Sequence, residues 1–263
     1  MSRSWVWTVA TLAFAACAAA TMSGEPVTVR HTEGIVHGFL ALRTVEGKVI
    51  AYGDLIQFAK DNRVTSRLVF HFSDGSVHDE TAVFSQGQQF RLVSDHLVQK
   101  GPAFPQPLDM TIDAASGQVT VRYVNERGEA KVEAERMKLP PDVSNGLVLT
   151  LLKNVQADAP PTAVSFVAAT PRPRLVKLVI TAAGQEQFLT ATAAHTATHY
   201  AVHVEIGGVS GLLAPLFGKQ PPDAHVWVLG GEAPAFVKAR QQLYMGGPLW
   251  EIDLVAPTFV TSP

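Results

Sequence analysis

From Pro26 onward the chain alternates apolar and polar positions with a period of two. That spacing sends successive side chains to opposite faces of a β-strand. It predicts strands over 27–32, 35–45, 48–58, 64–72, 77–85, 90–99, 108–113, 118–124 and 130–138. Glu46-Gly47, Asp61-Asn62, Asp74-Gly75, Ser116-Gly117 and Arg127-Gly128 separate them, and such turn pairs favour antiparallel hairpins. A two-residue loop at Asp74-Gly75 would pair Phe72 with Val77 and His71 with His78. Leu68, Phe70, Phe72, Val77 and Val83 would then share one face, which is expected to be buried.

The period changes after Leu139. Pro140-Pro141-Asp142 opens a stretch whose apolar residues, Val143, Leu147, Val148, Leu151 and Leu152, fall three and four apart, the stripe of a helix. Proline is tolerated in a first helical turn, and Asp142 suits the helix dipole. Ala157-Asp158-Ala159-Pro160-Pro161 reads as a linker. Strands resume over 163–169, 175–181, 187–192, 199–206, 225–229, 235–241 and 249–255, with a long apolar loop from Gly207 to Pro222. No repeat recurs at a fixed period. The predicted fold is all-β and mainly antiparallel: a strongly curved sheet or half-barrel with one helix on its concave face.

The first 23 residues break this pattern. Arg3 precedes an uncharged apolar run, WVWTVATLAFAACAAA, of about 16 residues that ends in Ala18-Ala19-Ala20. This is the layout of a secretory signal peptide and too short for a comfortable membrane span. Residues 1–23 are therefore expected to be a signal. Residues 24–263 then form a single β-rich domain, with 157–161 as the point where it would subdivide. The expected location is the periplasm or outer membrane of a bacterium. Cys17, the single cysteine, lies within the signal, so the mature domain must rely on a buried core and not on disulfides. Phe14-Ala15-Ala16-Cys17 also loosely resembles a bacterial lipobox, which would make Cys17 a lipidated membrane anchor. The alternative is that it is a small apolar residue of the signal.

A net charge of −2 gives no reason to expect nucleic acid, which needs an excess of Lys and Arg. Candidate chemistry is sparse. His71, His78 and Glu80 would share a face in the hairpin register above, and imidazole with carboxylate suits zinc. His195, His199 and His203 recur every fourth residue, but their flanks alternate as a strand, which sets them too far apart to share an ion. Ser210 lacks the second glycine of a nucleophile elbow, since Leu212 stands there. No cofactor is implied. The many strand aromatics would either fill a core or line an apolar cavity.

The stretches His225-Val-Trp-Val-Leu, Phe236-Val-Lys and Gly246-Gly-Pro-Leu-Trp-Glu-Ile-Asp-Leu resemble the closing strands of a group of uncharacterised exported bacterial proteins. Arg67-Leu-Val-Phe-His-Phe-Ser-Asp-Gly-Ser with Asp79-Glu-Thr is similar in style. That group resembles the lipoprotein-carrier half-barrels (LolA/LolB type), in which a curved sheet plugged by helices holds acyl chains. The resemblance implies a fold and an apolar ligand; it transfers no functional residue.

The expected function is therefore non-catalytic binding of a lipid or other apolar small molecule. Phe70, Phe72, Leu147, Leu151 and Trp227 are the candidate contacts. The alternatives are a metal-dependent enzyme built on His71, His78 and Glu80, and an envelope scaffold that binds a protein along a sheet edge.

Overall fold

The computed structural model describes residues 24–125, 127–190, 193–206 and 220–256. Residues 1–23 with Cys17, and most of the loop after Ile206, lie outside the described residues. The rest is nearly all β. Eight strands run from the N-terminal side: β1 (Val36–Thr44), β2 (Val49–Lys60), β3 (Arg63–Phe72), β4 (Val77–Gln86), β5 (Phe90–Lys100), β6 (Leu108–Asp113), β7 (Gln118–Val124) and β8 (Ala130–Arg136). After a five-residue helix, α1 (Val148–Leu152), come β9 (Thr162–Ala168), β10 (Arg174–Leu189), β11 (Ala194–Glu205), β12 (Ala224–Leu229), β13 (Ala235–Gln241) and β14 (Trp250–Leu254).

All fourteen strands belong to one open antiparallel sheet, in the order β8-β7-β6-β5-β4-β3-β2-β1-β14-β13-β12-β11-β10-β9. Each strand pairs with its sequence neighbour, except where β1 meets β14 in the middle: Leu42 opposes Ile252 and Thr44 opposes Trp250. The chain thus runs out to one edge through hairpins, crosses back by the helical segment, and returns from the other edge. One apolar cluster draws on both halves, with Phe70, Phe84 and Ile112 from the first and Ile180, Val226 and Ile252 from the second.

The strands differ from the sequence expectation in three places. Residues 27–32 make a single bridge, Thr28 to Gln89, and no strand. The two strands expected over 175–181 and 187–192 are one long strand, β10, whose register slips between Ala182 and Gly184 without turning the chain. The helix is much shorter than its apolar stripe, because residues 142–145 are committed elsewhere. Val143 bridges Ser165 in parallel. The Asn145 side chain accepts from Val167 N at 2.8 Å and donates to Val167 O at 2.9 Å. This short segment therefore satisfies part of the free edge of β9, an edge that otherwise carries unpaired backbone groups. Gly146 then turns the chain at φ +67, where a Cβ would lie 2.4 Å from Cβ of Ala82. Only after that turn does α1 begin.

The Asp74-Gly75 hairpin has a three-residue loop. Phe72 N donates to Ser76 O, Gly75 N donates to Phe72 O, and Asp74 Oδ1 accepts from Ser76 N. Gly75 supplies the left-handed residue at φ +86 that closes such loops. The observed register pairs Phe70 with His78 and His71 with Val77, one step from the predicted pairing. A one-residue slip exchanges the faces of a strand. His78 and Glu80 therefore face inward with Leu68, Phe70 and Phe72, while Val77 and Val83 face outward.

Candidate functional site

Rows of paired residues cross β2 to β6 on the inner face. One row is Leu55, Leu68, Glu80, Leu97 and Met110; the next is Gln57, Ser66, Ala82, Asp95 and Ile112; a third is Gly53, Phe70, His78, Gln99 and Leu108. Glu80 thus has Leu68 and Leu97 beside it, His78 two residues along its own strand, and Asp95 on the diagonal. Diagonal partners in an antiparallel sheet lie about 7 Å apart, within reach of long side chains.

These rows form one wall of a cavity of about 810 Å³. Leu55, Leu68 and Leu97 stand on that wall, Phe166, Leu178 and Val204 on the other, and Val148, Leu149 and Thr150 of α1 also line the space. Most of the lining is apolar. The polar exceptions on the first wall are Gln57, Ser66, His78 and Glu80.

Two carboxylates near this wall, Glu33 buried and Glu80 half-buried, have opposite surroundings. Glu33 is held by Lys153 Nζ at 2.5 and 2.6 Å and by Gln57 Nε2 at 2.5 Å. Gln86 clamps the Glu33 backbone, accepting from its N–H and donating to its carbonyl. Glu80, in contrast, makes no hydrogen bond or ion pair with any described residue. Burial pushes its carboxyl up to about 7, because the charged form loses water and gains nothing in exchange. Asp95 is 2% exposed, and neither of its carboxyl oxygens has a partner. Burial first, and then the charge of Glu80, hold its carboxyl well above the usual aspartate range.

His78 completes the cluster. It is 4% exposed, and burial pulls its imidazole down to about 4, so the ring is neutral at pH 7. Gln99 Nε2 donates to Leu243 O at 2.6 Å and to His78 Nδ1 at 3.0 Å. A carbonyl can only accept, so this pair of contacts fixes the amide and leaves the histidine proton on Nε2. That Nε2–H has no partner. A buried donor on His78 and a buried carboxyl on Asp95 without partners are costly for the fold, on the order of 1–3 kcal/mol for each group.

The sequence-predicted residues are distributed as follows. His71 is exposed on the outer face, so the expected trio of His71, His78 and Glu80 does not assemble; its last two members sit together on the cavity wall. Among the described residues no group of three or more His, Cys, Asp or Glu is arranged to hold a metal ion. Phe70, Phe72, Leu147 and Leu151 are buried in the apolar cluster and do not line the cavity. Trp227 lies on the opposite face from Val226 and Val228, stacked on His199 with ring centroids 4.5 Å apart and Lys238 above it. Cys17 falls outside the described residues.

Asp95, Gln57 and the Glu33–Lys153 pair were missed by the sequence reading. For Asp95 the reason is a bulge. The register between β4 and β5 slips where Val83 pairs with Ser94 and Phe84 with Leu92. Phe90 and Leu92 therefore face inward together with Asp95, Leu97 and Gln99, although strict alternation would separate the two sets. A run of Asp-x-Leu-x-Gln at the end of a strand whose start is Phe-x-Leu carries that signal in retrospect.

No family model matches this chain, and no curated protein matches it. One solved structure is similar in shape. It is a β-barrel-like protein of the domain of unknown function DUF1849 from Brucella abortus, 11% identical, covering 89% of this chain and 98% of that one, with a TM-score of 0.41. A likeness of that size says nothing about function.

Proposed function

We propose that this chain is an exported envelope protein that holds a lipid or other apolar molecule in a half-barrel, without catalysis. The observation that carries this reading is the cavity of about 810 Å³ with its mainly apolar lining. Pockets of 300–1,000 Å³ with an apolar lining and a few polar groups are the usual form of small-molecule sites. Bending of the sheet is supported by the lining itself, which draws on β2–β5 and on β9–β13, strands far apart in the order. The role of α1 as a cover over the concave side is supported by Val148, Leu149 and Thr150 in the same lining. Export and location rest on residues 1–23. Attachment to the membrane through Cys17 is part of the same proposal, as is kinship in architecture with the lipoprotein carriers.

The test uses the mature chain and the apolar probe N-phenyl-1-naphthylamine. Probe fluorescence rises on binding, dodecanol displaces it, and Leu68→Trp, which fills part of the cavity, weakens uptake. Native mass spectrometry of protein purified from cell extract shows a bound small molecule. A ligand-free spectrum together with no probe uptake would overturn the proposal.

A further inference from the structure

Resting on that reading, we infer that the cavity selects an amphiphile whose head is a primary ammonium, seated on Glu80 with Asp95 buried behind it. The argument begins from what the wall lacks. Glu80 faces the cavity, half-buried and without a hydrogen bond to any described residue, and both oxygens of Asp95, buried behind it, have no partner. Two carboxyls on one diagonal with no donor between them repel each other once both are ionised, so the charge of one opposes ionisation of the other. Among the described residues no cation relieves this. Of the basic residues on the lining, Lys153 is taken by Glu33. Arg174 stands on β10, next to the edge strand β9, and forms no ion pair with either carboxyl. An ammonium group brings three donors and one positive charge: Glu80 accepts from it, and its charge offsets the repulsion that Asp95 would otherwise meet. The surrounding lining, with Leu55, Leu68 and Leu97 on the same wall, takes the hydrocarbon tail.

The opposite head group fits badly. A carboxylate would enter a site that already holds two acids, with the N–H of His78 and the hydroxyl of Ser66 as the donors on this wall to set against their charge. A neutral hydroxyl has no such penalty and no such gain.

The experiment compares three probes with the same twelve-carbon tail, dodecylammonium, dodecanol and dodecanoate, by calorimetric titration of the mature chain at pH 8. The expected order is ammonium first, at least tenfold tighter than dodecanol, with dodecanoate weakest. In Glu80→Gln the ammonium loses at least tenfold while dodecanol stays within threefold. Asp95→Asn gives the same pattern and guards against a local effect of one variant. If dodecanol binds and ammonium shows no preference, or if both variants keep the preference, the head-group inference falls and the apolar cavity stands. If none of the three probes binds, both readings fall.

Discussion

Glu33, buried just before β1, and Glu80, on the cavity wall, are two carboxylates treated in opposite ways. Glu33 receives an ammonium, a side-chain amide and a clamp on its own backbone. Glu80 receives nothing and faces the cavity. The first arrangement is how a fold neutralises a buried charge when the charge serves the architecture: Lys153 ties the end of α1 to residue 33 across the sheet. On the proposed function, the second is a binding surface that its ligand would complete. A fold that keeps such a group gives up stability there, and the loss is recovered only by something that enters from outside.

Removing the partner of the satisfied acid is the largest perturbation. Lys153→Met strands Glu33, whose side chain is 6% exposed against 15% for Lys153. Breaking a buried pair from one side costs about 3–5 kcal/mol. A urea titration at pH 7 is expected to show a loss of that size. A loss below about 1 kcal/mol would mean that the pair is solvated and that the contrast with Glu80 is false.

The next effect has the opposite sign. Glu80 ionises near its ordinary 4.5 in the unfolded chain and near 7 in the folded one. The unfolded state therefore binds fewer protons between those values, and stability falls as pH rises from 4.5 to 7. At about 1.36 kcal/mol per unit the loss reaches up to about 3 kcal/mol. Glu80→Gln is expected to match the parent at pH 4 and to exceed it by up to that amount at pH 8. Thermal unfolding across this range checks it. His78 works against the trend in the parent chain: its folded value is depressed to about 4 from 6.5, so its contribution is lost as pH falls through that window. The difference between variant and parent removes the histidine and reports Glu80 together with the part of the Asp95 shift that its charge causes.

The smallest effect belongs to the outer face, one residue away. Asp79 points outward and meets Arg67 through two contacts, at 2.9 and 2.6 Å. The hydrogen bonds from Arg67 hold its carboxyl below the ordinary 3.8, so its contribution is present above that value and lost as pH falls below it. Arg67 is nearly half exposed, and such pairs are worth roughly 1 kcal/mol or less after solvent screening. Asp79→Asn is expected to cost no more than that at pH 7, and less in 1 M salt. A larger cost would place Asp79, and not Glu80, at the sensitive position.

Much of the strand pattern was legible in the sequence, since period-two alternation survives wherever one face is buried and the other wet. Gln118 to Val124 and Ala235 to Gln241 are read to the residue. What alternation does not carry is a local shift of register. The three-residue loop at Asp74-Gly75 moves the β3–β4 pairing by one step and turns His71 away from His78. The bulge before Asp95 brings an acid inward that strict alternation sends out. The helical stripe from Val143 to Leu152 was real as an apolar surface, but Asn145 and Val143 spend their first residues on the edge of β9, and Gly146 breaks the rise. The candidate site suffers most from such shifts, because it is defined by which face a few polar residues occupy. His78 and Glu80 were singled out for a metal and turn out to belong to a cavity wall instead.

The central claim is that Glu80 and Asp95 stand unpaired because a cationic head completes them. The most direct measurement is the thermal shift of the parent chain and of Glu80→Gln at pH 8, each with and without saturating dodecylammonium. The account predicts that Glu80→Gln melts higher alone, and that the ligand raises the parent by more than it raises the variant, closing or reversing the gap. Equal shifts in the two proteins, or a parent that melts higher alone, would contradict it.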